Sequence, residues 1–326
     1  MTGPLLDVRD VTVEYPIGSA LLGGRRRRKA VDRVSFTLER GAALGVVGES
    51  GCGKSTLARA ILRLVPLASG VVRLNGDDLA SLTGRRLRER RRRMQLVFQD
   101  PIGALDPRMT AAQIIAEPLG GKRRGAPSRM ERARSMMEAV GLSREHADRY
   151  PHEFSGGQCQ RIGIARALVG EPALLICDEP VSALDVSIQA QILSLLETLR
   201  ATLGLTMIFI AHDLRLVRHL CDSVIVMYRG RLVEQAGRAE LFSRPRHPYT
   251  QALLDAIPVP DPRAERQRAG ARPAAEPAAP AADVESGCAF RARCPHARER
   301  CQHESPALRR VGGARVACHF AEQIAR

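Results

Sequence analysis

The sequence predicts an α/β fold, a mostly parallel sheet covered by helices. Three observations predict it. Short apolar runs at 43–47, 173–177 and 206–211 fit buried strands, and stretches of helical period separate them. A glycine-rich segment joins the first of these strands to a helix. The composition is 44% hydrophobic but only 3% aromatic, with no Trp. Leu, Ile, Val and Ala must then fill the core, which suits a sheet buried on both faces. At 326 residues the chain holds one large domain with an appendage, or two modest domains.

Residues 5–15 alternate like a strand, and 18–29 read as an exposed loop insertion. Residues 34–38 and 43–47 are two further strands, and the period turns helical over 54–64. Residues 71–74 form a strand closed by Asn75-Gly76, a strong turn signal. The stretch 110–170 is mostly helical, with Pro118, Pro127 and Pro151 as breakers. A helix over 187–203 separates the strands 173–177 and 206–211, and 224–227 and 232–234 complete the strands. From Pro258 to Pro280 lie six of the twenty prolines, among Ala, Arg and Glu. Such a stretch cannot pack a core, so 258–286 is expected to be a linker. Residues 287–326 then form a small segment rich in cysteine, and no internal repeat is present.

The net charge of +15 is compatible with nucleic acid, with an anionic membrane face, or with a solvated Arg-rich surface. The basic runs 25–29 and 85–93 lack the interleaved aromatics on which single-stranded bases stack, so nucleic acid is not expected as a partner. No run of 18 apolar residues occurs, and the N-terminus lacks a signal-peptide pattern. An intracellular protein that serves any membrane process from its surface is expected.

Gly48-Glu49-Ser50-Gly51-Cys52-Gly53-Lys54-Ser55-Thr56 fits G-x-x-x-x-G-K-[ST], after an apolar strand and before a helix. Its glycines let backbone N–H groups point inward at a phosphate, and the helix adds its positive end. Lys54 would neutralise the β and γ oxygens, and the Ser55 hydroxyl would ligate Mg²⁺. Downstream, an apolar strand ends in Asp178 and Glu179. Charges at the end of a buried strand need a partner, and Mg²⁺ supplies one. Asp178 would hold the ion through water. Glu179, pointing to the other face, would polarise the attacking water. Phe154-Ser155-Gly156-Gly157-Gln158 opens a helix, with free N–H groups and no bulky side chain. It reads as an ordinary N-cap or as a second anion site.

With these residues in this order, the sequence resembles the ABC-transporter ATPase family over residues 5 to about 260. The family signature LSGGQ stands at Phe154–Gln158 with Phe in place of Leu. Gln99 resembles the Q-loop glutamine, a further Mg²⁺ ligand. Ser182-Ala183-Leu184-Asp185 resembles the D-loop, His212 the switch histidine, and Tyr15 the adenine-stacking aromatic. The resemblance implies a RecA-like P-loop NTPase core with an antiparallel β subdomain and a helical subdomain at about 105–170, all within 1–257. It implies an ATPase with Glu179, His212 and Gln99 as catalytic residues. It further implies head-to-tail pairing, with Ser155, Gly156, Gly157, Gln158 and Asp185 reaching the ATP on the partner's loop.

Stretches 150–158, 177–191 and 247–253 look like the oligopeptide/dipeptide permease ATP-binding subunits, especially the second, F-type ATPase. That implies a different ATPase chain as partner, two transmembrane permease chains, an extracytoplasmic peptide-binding protein, and a place at the cytoplasmic face of the inner membrane. Nickel, glutathione and opine importers share much of the pattern. A soluble ABC ATPase acting on nucleic acid is the other alternative, although such proteins usually carry coiled-coil inserts or two ATPase domains.

Cys288, Cys294, Cys301 and Cys318 are spaced C-x5-C-x6-C-x16-C. Four thiolates suit an iron–sulfur cluster or a tetrahedral zinc, and a chain without metal is the third possibility. The permease ATPases carry a similar segment, which in some members holds a [4Fe-4S] cluster. Cys52, Cys159, Cys177 and Cys221 read as ordinary thiols.

Overall fold

The computed structural model describes residues 3–17, 26–120, 128–257 and 286–324. The expected linker falls almost wholly outside these residues, as does Pro127.

Two sheets form the frame. The smaller is antiparallel, in the order β2-β1-β4-β5. Its strands are β1 (Leu6–Ile17), β2 (Arg26–Leu38), β4 (Ser69–Leu74) and β5 (Asp77–Asp78). Asn75 and Gly76, at φ 53° and 86°, turn β4 into β5, as the sequence signal requires. The larger sheet has eight strands, in the order β11-β12-β10-β9-β3-β8-β7-β6. Its centre is parallel: β9 (Ser223–Tyr228), β3 (Ala43–Val47), β8 (Thr206–Ala211), β7 (Leu174–Asp178) and β6 (Met94–Val97). Antiparallel strands β10 (Arg231–Gly237), β12 (Ala314–Val316) and β11 (Arg309–Val311) extend it.

The central strands bury both faces, and their two-residue period sends alternate side chains into two cores. Leu44 and Val46 of β3 and Leu174 and Ile176 of β7 face α1 (Lys54–Ile61) and the small sheet, meeting Leu57, Ile61, Val13 and Phe36. Ala43, Val47, Leu175 and Cys177 face the other way, toward α5 (Gly156–Leu168), α6 (Val186–Leu203) and α7 (Leu214–Leu220). Fully burying a Leu- or Ile-sized side chain contributes about 1.5–3 kcal/mol, so the doubly covered sheet dominates the stability. Helices α3 (Ala111–Ala116) and α4 (Arg129–Ala139) pack with α5 as the helical layer within the expected 105–170 region.

Two expectations change, and a basic run that carried no assigned element gains one. Residues 26–29 are not loop: they pair with β1, Lys29 opposite Glu14 and Arg28 opposite Tyr15, and Arg27 lies 3.5 Å from Glu14. Cross-strand ion pairing holds a strand that the apolar pattern does not announce. The second basic run folds as helix α2 (Gly84–Arg92), which buries no side chain. Arg85 pairs with Glu89 one turn on, and Arg91 donates to the Leu62 carbonyl at 3.1 Å. Finally, residues 286–324 are no free-standing appendage. Their strands join the main sheet through β12 and β10, and Phe290, Val311, Val316 and Ala321 enter its core. No helix among the described residues is long and apolar enough to cross a membrane.

Candidate nucleotide site

The phosphate loop, the acidic pair and His212 lie side by side at the C-terminal edge of the parallel strands. Register dictates this. Val47 pairs with Ala211, and Asp178 with Ile210, so the residues following β3, β7 and β8 emerge together. Crevices at this edge are where open α/β sheets bind ligands. Gly48 and Gly53 are obligatory in the loop. A Cβ on Gly48 would meet the Met227 carbonyl at 2.2 Å, and one on Gly53 the Ala30 carbonyl at 2.2 Å, with φ of 153° and 107°.

Lys54 opens α1 and is 4% exposed. Its Nζ donates to the carbonyls of Gly48 at 2.7 Å and Glu49 at 3.0 Å, and Glu179 Oε1 lies 3.8 Å away. The ammonium thus sits over the loop's own concavity, held by weak acceptors that a phosphate can replace. Ser55 Oγ donates to Asp178 Oδ1 at 2.9 Å. Burial raises the Asp178 carboxyl above its usual range, and the Ser55 hydrogen bond opposes this. A buried carboxylate beside a hydroxyl is a ready pair for a divalent cation.

Strand alternation would send Glu179 away from Asp178. The structure instead ends β7 at Asp178 and puts Glu179 in left-handed backbone, φ 47°. Such a conformation costs about 1–3 kcal/mol in a residue with a side chain. It turns the carboxylate toward the loop, where Oε2 lies 3.2 Å from His212 Nδ1 and Oε1 faces Lys54. His212 itself is half exposed.

The other expected residues stand apart from this cluster. Gln99 follows β6 at the same sheet edge, exposed, and has no hydrogen bond to Ser55 or Asp178. Tyr15 is 39% exposed on β1. Ser50, Gly51 and Thr56 lie in or beside the loop. Cys52 is buried, and burial raises its thiol pKa. Ser155 caps α5 by a closed exchange: its Oγ accepts from Gln158 N–H, while its own N–H donates to Gln158 Oε1. Gly157 is required by the approach of α6, since a Cβ there would meet Ile188 at 2.7 Å. Asp185 is the residue before α6, and the turn 179–184 is held by Gln189 donating to the Val181 and Leu184 carbonyls.

Sequence reasoning missed two contacts. Tyr249 Oη accepts the Glu49 N–H at 2.8 Å, and Arg293 forms a double hydrogen bond with the Glu49 carboxylate. They come from 200 and 244 residues away, and no local pattern announces them.

A family model described as "ABC transporter" matches residues 31–182. The oligopeptide transport ATP-binding protein OppF of Salmonella typhimurium is 49% identical over 309 residues, spanning 93% of this chain and 92% of that one. The chain belongs to the ABC transporter ATPase family. Within that family, a second model, "Oligopeptide/dipeptide transporter, C-terminal region", matches residues 233–301. OppF of Haemophilus influenzae is 48% identical over 307 residues, 93% of this chain and 92% of its own. Among solved structures, a dimeric ATP-binding cassette with bound ADP and phosphate aligns at TM-score 0.64 and 30% identity. That alignment covers 72% of this ABC ATPase and 98% of the cassette. The α/β architecture with its antiparallel and helical layers is thus the family fold, and ATP is its nucleotide.

The four late cysteines line one small cavity, together with His296, His319, Phe290 and Phe320. All four thiols are free. Burial raises those of Cys288 and Cys318 and lifts Cys294 to about 11. Among the described residues, no three His, Cys, Asp or Glu side chains stand in metal-ligand geometry. The four thiols are donors of the kind a thiophilic metal takes, but they do not stand in ligand geometry. Rearrangement of these side chains and deprotonation of the thiols would have to accompany metal binding.

Proposed function

We propose that this chain powers the import of di- and oligopeptides across the cytoplasmic membrane, as one ATPase of an ABC importer. The observation that carries the proposal is the near-full-length likeness to OppF, together with the match over residues 233–301. The remaining partners follow from it: a second ATPase chain, two transmembrane permease chains, an extracytoplasmic peptide-binding protein, and the cytoplasmic membrane surface.

In this proposal residues 48–56 hold the triphosphate. Lys54 contacts the β and γ oxygens, Ser55 and Gln99 ligate Mg²⁺, and Asp178 holds the ion through water. Glu179 orients and polarises the attacking water, and His212 contacts the γ-phosphate. Support comes from the convergence of Lys54, Glu179 and His212 within hydrogen-bond or ion-pair reach. Tyr15 stacks on the adenine. Ser155, Gly156, Gly157, Gln158 and Asp185 serve the ATP on the partner chain. The exposed Ser155, whose turn closes on itself through side-chain to backbone hydrogen bonds with Gln158, supports that role.

Cys288, Cys294, Cys301 and Cys318 are proposed to hold a [4Fe-4S] cluster, zinc being the alternative, in support of the fold. Their shared cavity supports this.

One preparation tests both proposals. The assembled importer in vesicles, with the peptide-binding protein and a labelled tripeptide outside, should take up the peptide only when ATP is enclosed inside, and Glu179→Gln should abolish uptake. Uptake of nickel or glutathione with no peptide uptake would move the substrate. The same protein, purified without oxygen, should contain four irons and four sulfides per chain. One zinc and no iron would end the cluster proposal.

A further inference from the structure

Glu49 is out of keeping with its surroundings. Residues 48–56 form an anion-binding loop, yet the second of them carries a carboxylate. A negative charge within a few ångströms of bound polyphosphate repels it.

The far end of the chain answers that charge. Arg293 Nη1 donates to Glu49 Oε2 at 2.9 Å, and Nη2 donates to Oε1 at 2.8 Å. This is the bidentate fork that binds a carboxylate most firmly. The guanidinium is itself held in place. Its carbon lies 6.0 Å from the centre of the Tyr228 ring and 5.7 Å from that of Phe290. Those rings pack on Tyr249, with centroids 4.6 Å and 5.4 Å away. Tyr249 in turn accepts the Glu49 backbone N–H at 2.8 Å. Side chain and backbone of one loop residue are therefore both fixed from the C-terminal half of the chain. Arg293 and Glu49 side chains remain 35% and 42% exposed, where an ion pair adds little to folding stability. A planar, aromatic-backed fork at such a place makes more sense as control of charge beside the loop.

We propose that Arg293 is a positioning residue for the nucleotide: it neutralises Glu49 and holds its carboxylate against the C-terminal segment, so that residues 286–324 set ATP affinity in cis. The proposal rests on residues 48–56 being the phosphate loop. It requires no step of hydrolysis to pass through Arg293.

The test is titration of the full chain with a fluorescent ATP analogue in the presence of Mg²⁺. Arg293→Gln should weaken binding about threefold to tenfold, the range expected for one partly screened charge near the phosphates. Arg293→Lys, which keeps the charge but loses the fork, should fall between. The decisive variant is Glu49→Gln combined with Arg293→Gln. With no carboxylate left to neutralise, it should bind within about twofold of Glu49→Gln alone, because coupled residues are not additive. If the double variant is as weak as Arg293→Gln, Arg293 merely supports the fold and the proposal fails. It also fails if Arg293→Gln binds like wild type. Lys54→Ala is the control for the underlying assignment. Undiminished binding in that variant would overturn the loop assignment itself, whatever Arg293 does.

Discussion

Two glycine-bearing turns in this molecule each precede a helix, and they are built to opposite plans. The loop 48–53 is enclosed. Lys54 bonds back into it, Ser55 reaches Asp178, Tyr249 and Arg293 hold Glu49, and β3, β7 and β8 fix its neighbours. The Ser155 turn is open. Its polar groups satisfy each other in a capping box, and Gly157 admits the close approach of α6. No hydrogen bond or ion pair joins it to the loop 48–56. An enclosed turn can bind a phosphate by itself, whereas an open one can bind only what another molecule brings to it. In the proposed pairing, this difference makes one chain half of a site.

Charge at the enclosed turn gives the largest expected effect. Lys54→Ala should weaken ATP binding to the single chain on the order of 100-fold, since it removes the charge-assisted contact to the β and γ oxygens. Ser155→Arg should leave that same binding within about twofold, as the turn contributes nothing in cis. Isothermal titration of both variants checks the contrast. Equal losses would erase the distinction between the two turns.

A smaller effect sharpens how the enclosed turn is braced. His247 is buried, donates its N–H to Glu234, and accepts the Tyr249 N–H on Nδ1 at 3.0 Å. Burial holds its pKa down to about 3, from an ordinary 6.5, against a weaker opposing bond to the Ala317 backbone. The unfolded chain then binds the extra proton and the folded one does not. His247 therefore favours the fold fully above pH 6.5, and that contribution is lost as pH falls toward about 3. The slope reaches at most ~1.4 kcal/mol per pH unit in that window. Chemical denaturation between pH 7 and 5 should show a shallower decline for His247→Gln than for wild type. Parallel curves would mean that this brace does not titrate.

The enclosed site was largely legible in the sequence because its signals are local. Five apolar residues before Gly48 and an apolar run before Asp178 announce strands, and sheet register then brings their ends together. The left-handed turn at Glu179 was not legible, since a strand pattern ending in two acids implies alternation. Residues 26–29 were misjudged, and 84–92 were given no element, because charged side chains that pair across a strand or along a helix carry no apolar period. The clasp of Arg293 on Glu49 depends on how β10, β12 and the helix Pro248–Asp255 close the sheet, which is a property of the whole fold. The cysteine spacing pointed to a shared metal; the fold brings the four thiols to one small cavity, but not into ligand geometry.

The central claim is that ATP is clamped between the Lys54 loop of one chain and the Ser155 turn of another. Its most direct test is the mass, by light scattering, of the Glu179→Gln chain mixed with its companion ATPase chain. The account predicts an ATPase pair that forms only with Mg·ATP and disappears when Ser155→Arg is added, with nucleotide still bound to each Lys54 loop. Pair formation that ignores ATP, or that survives Ser155→Arg unchanged, would contradict it.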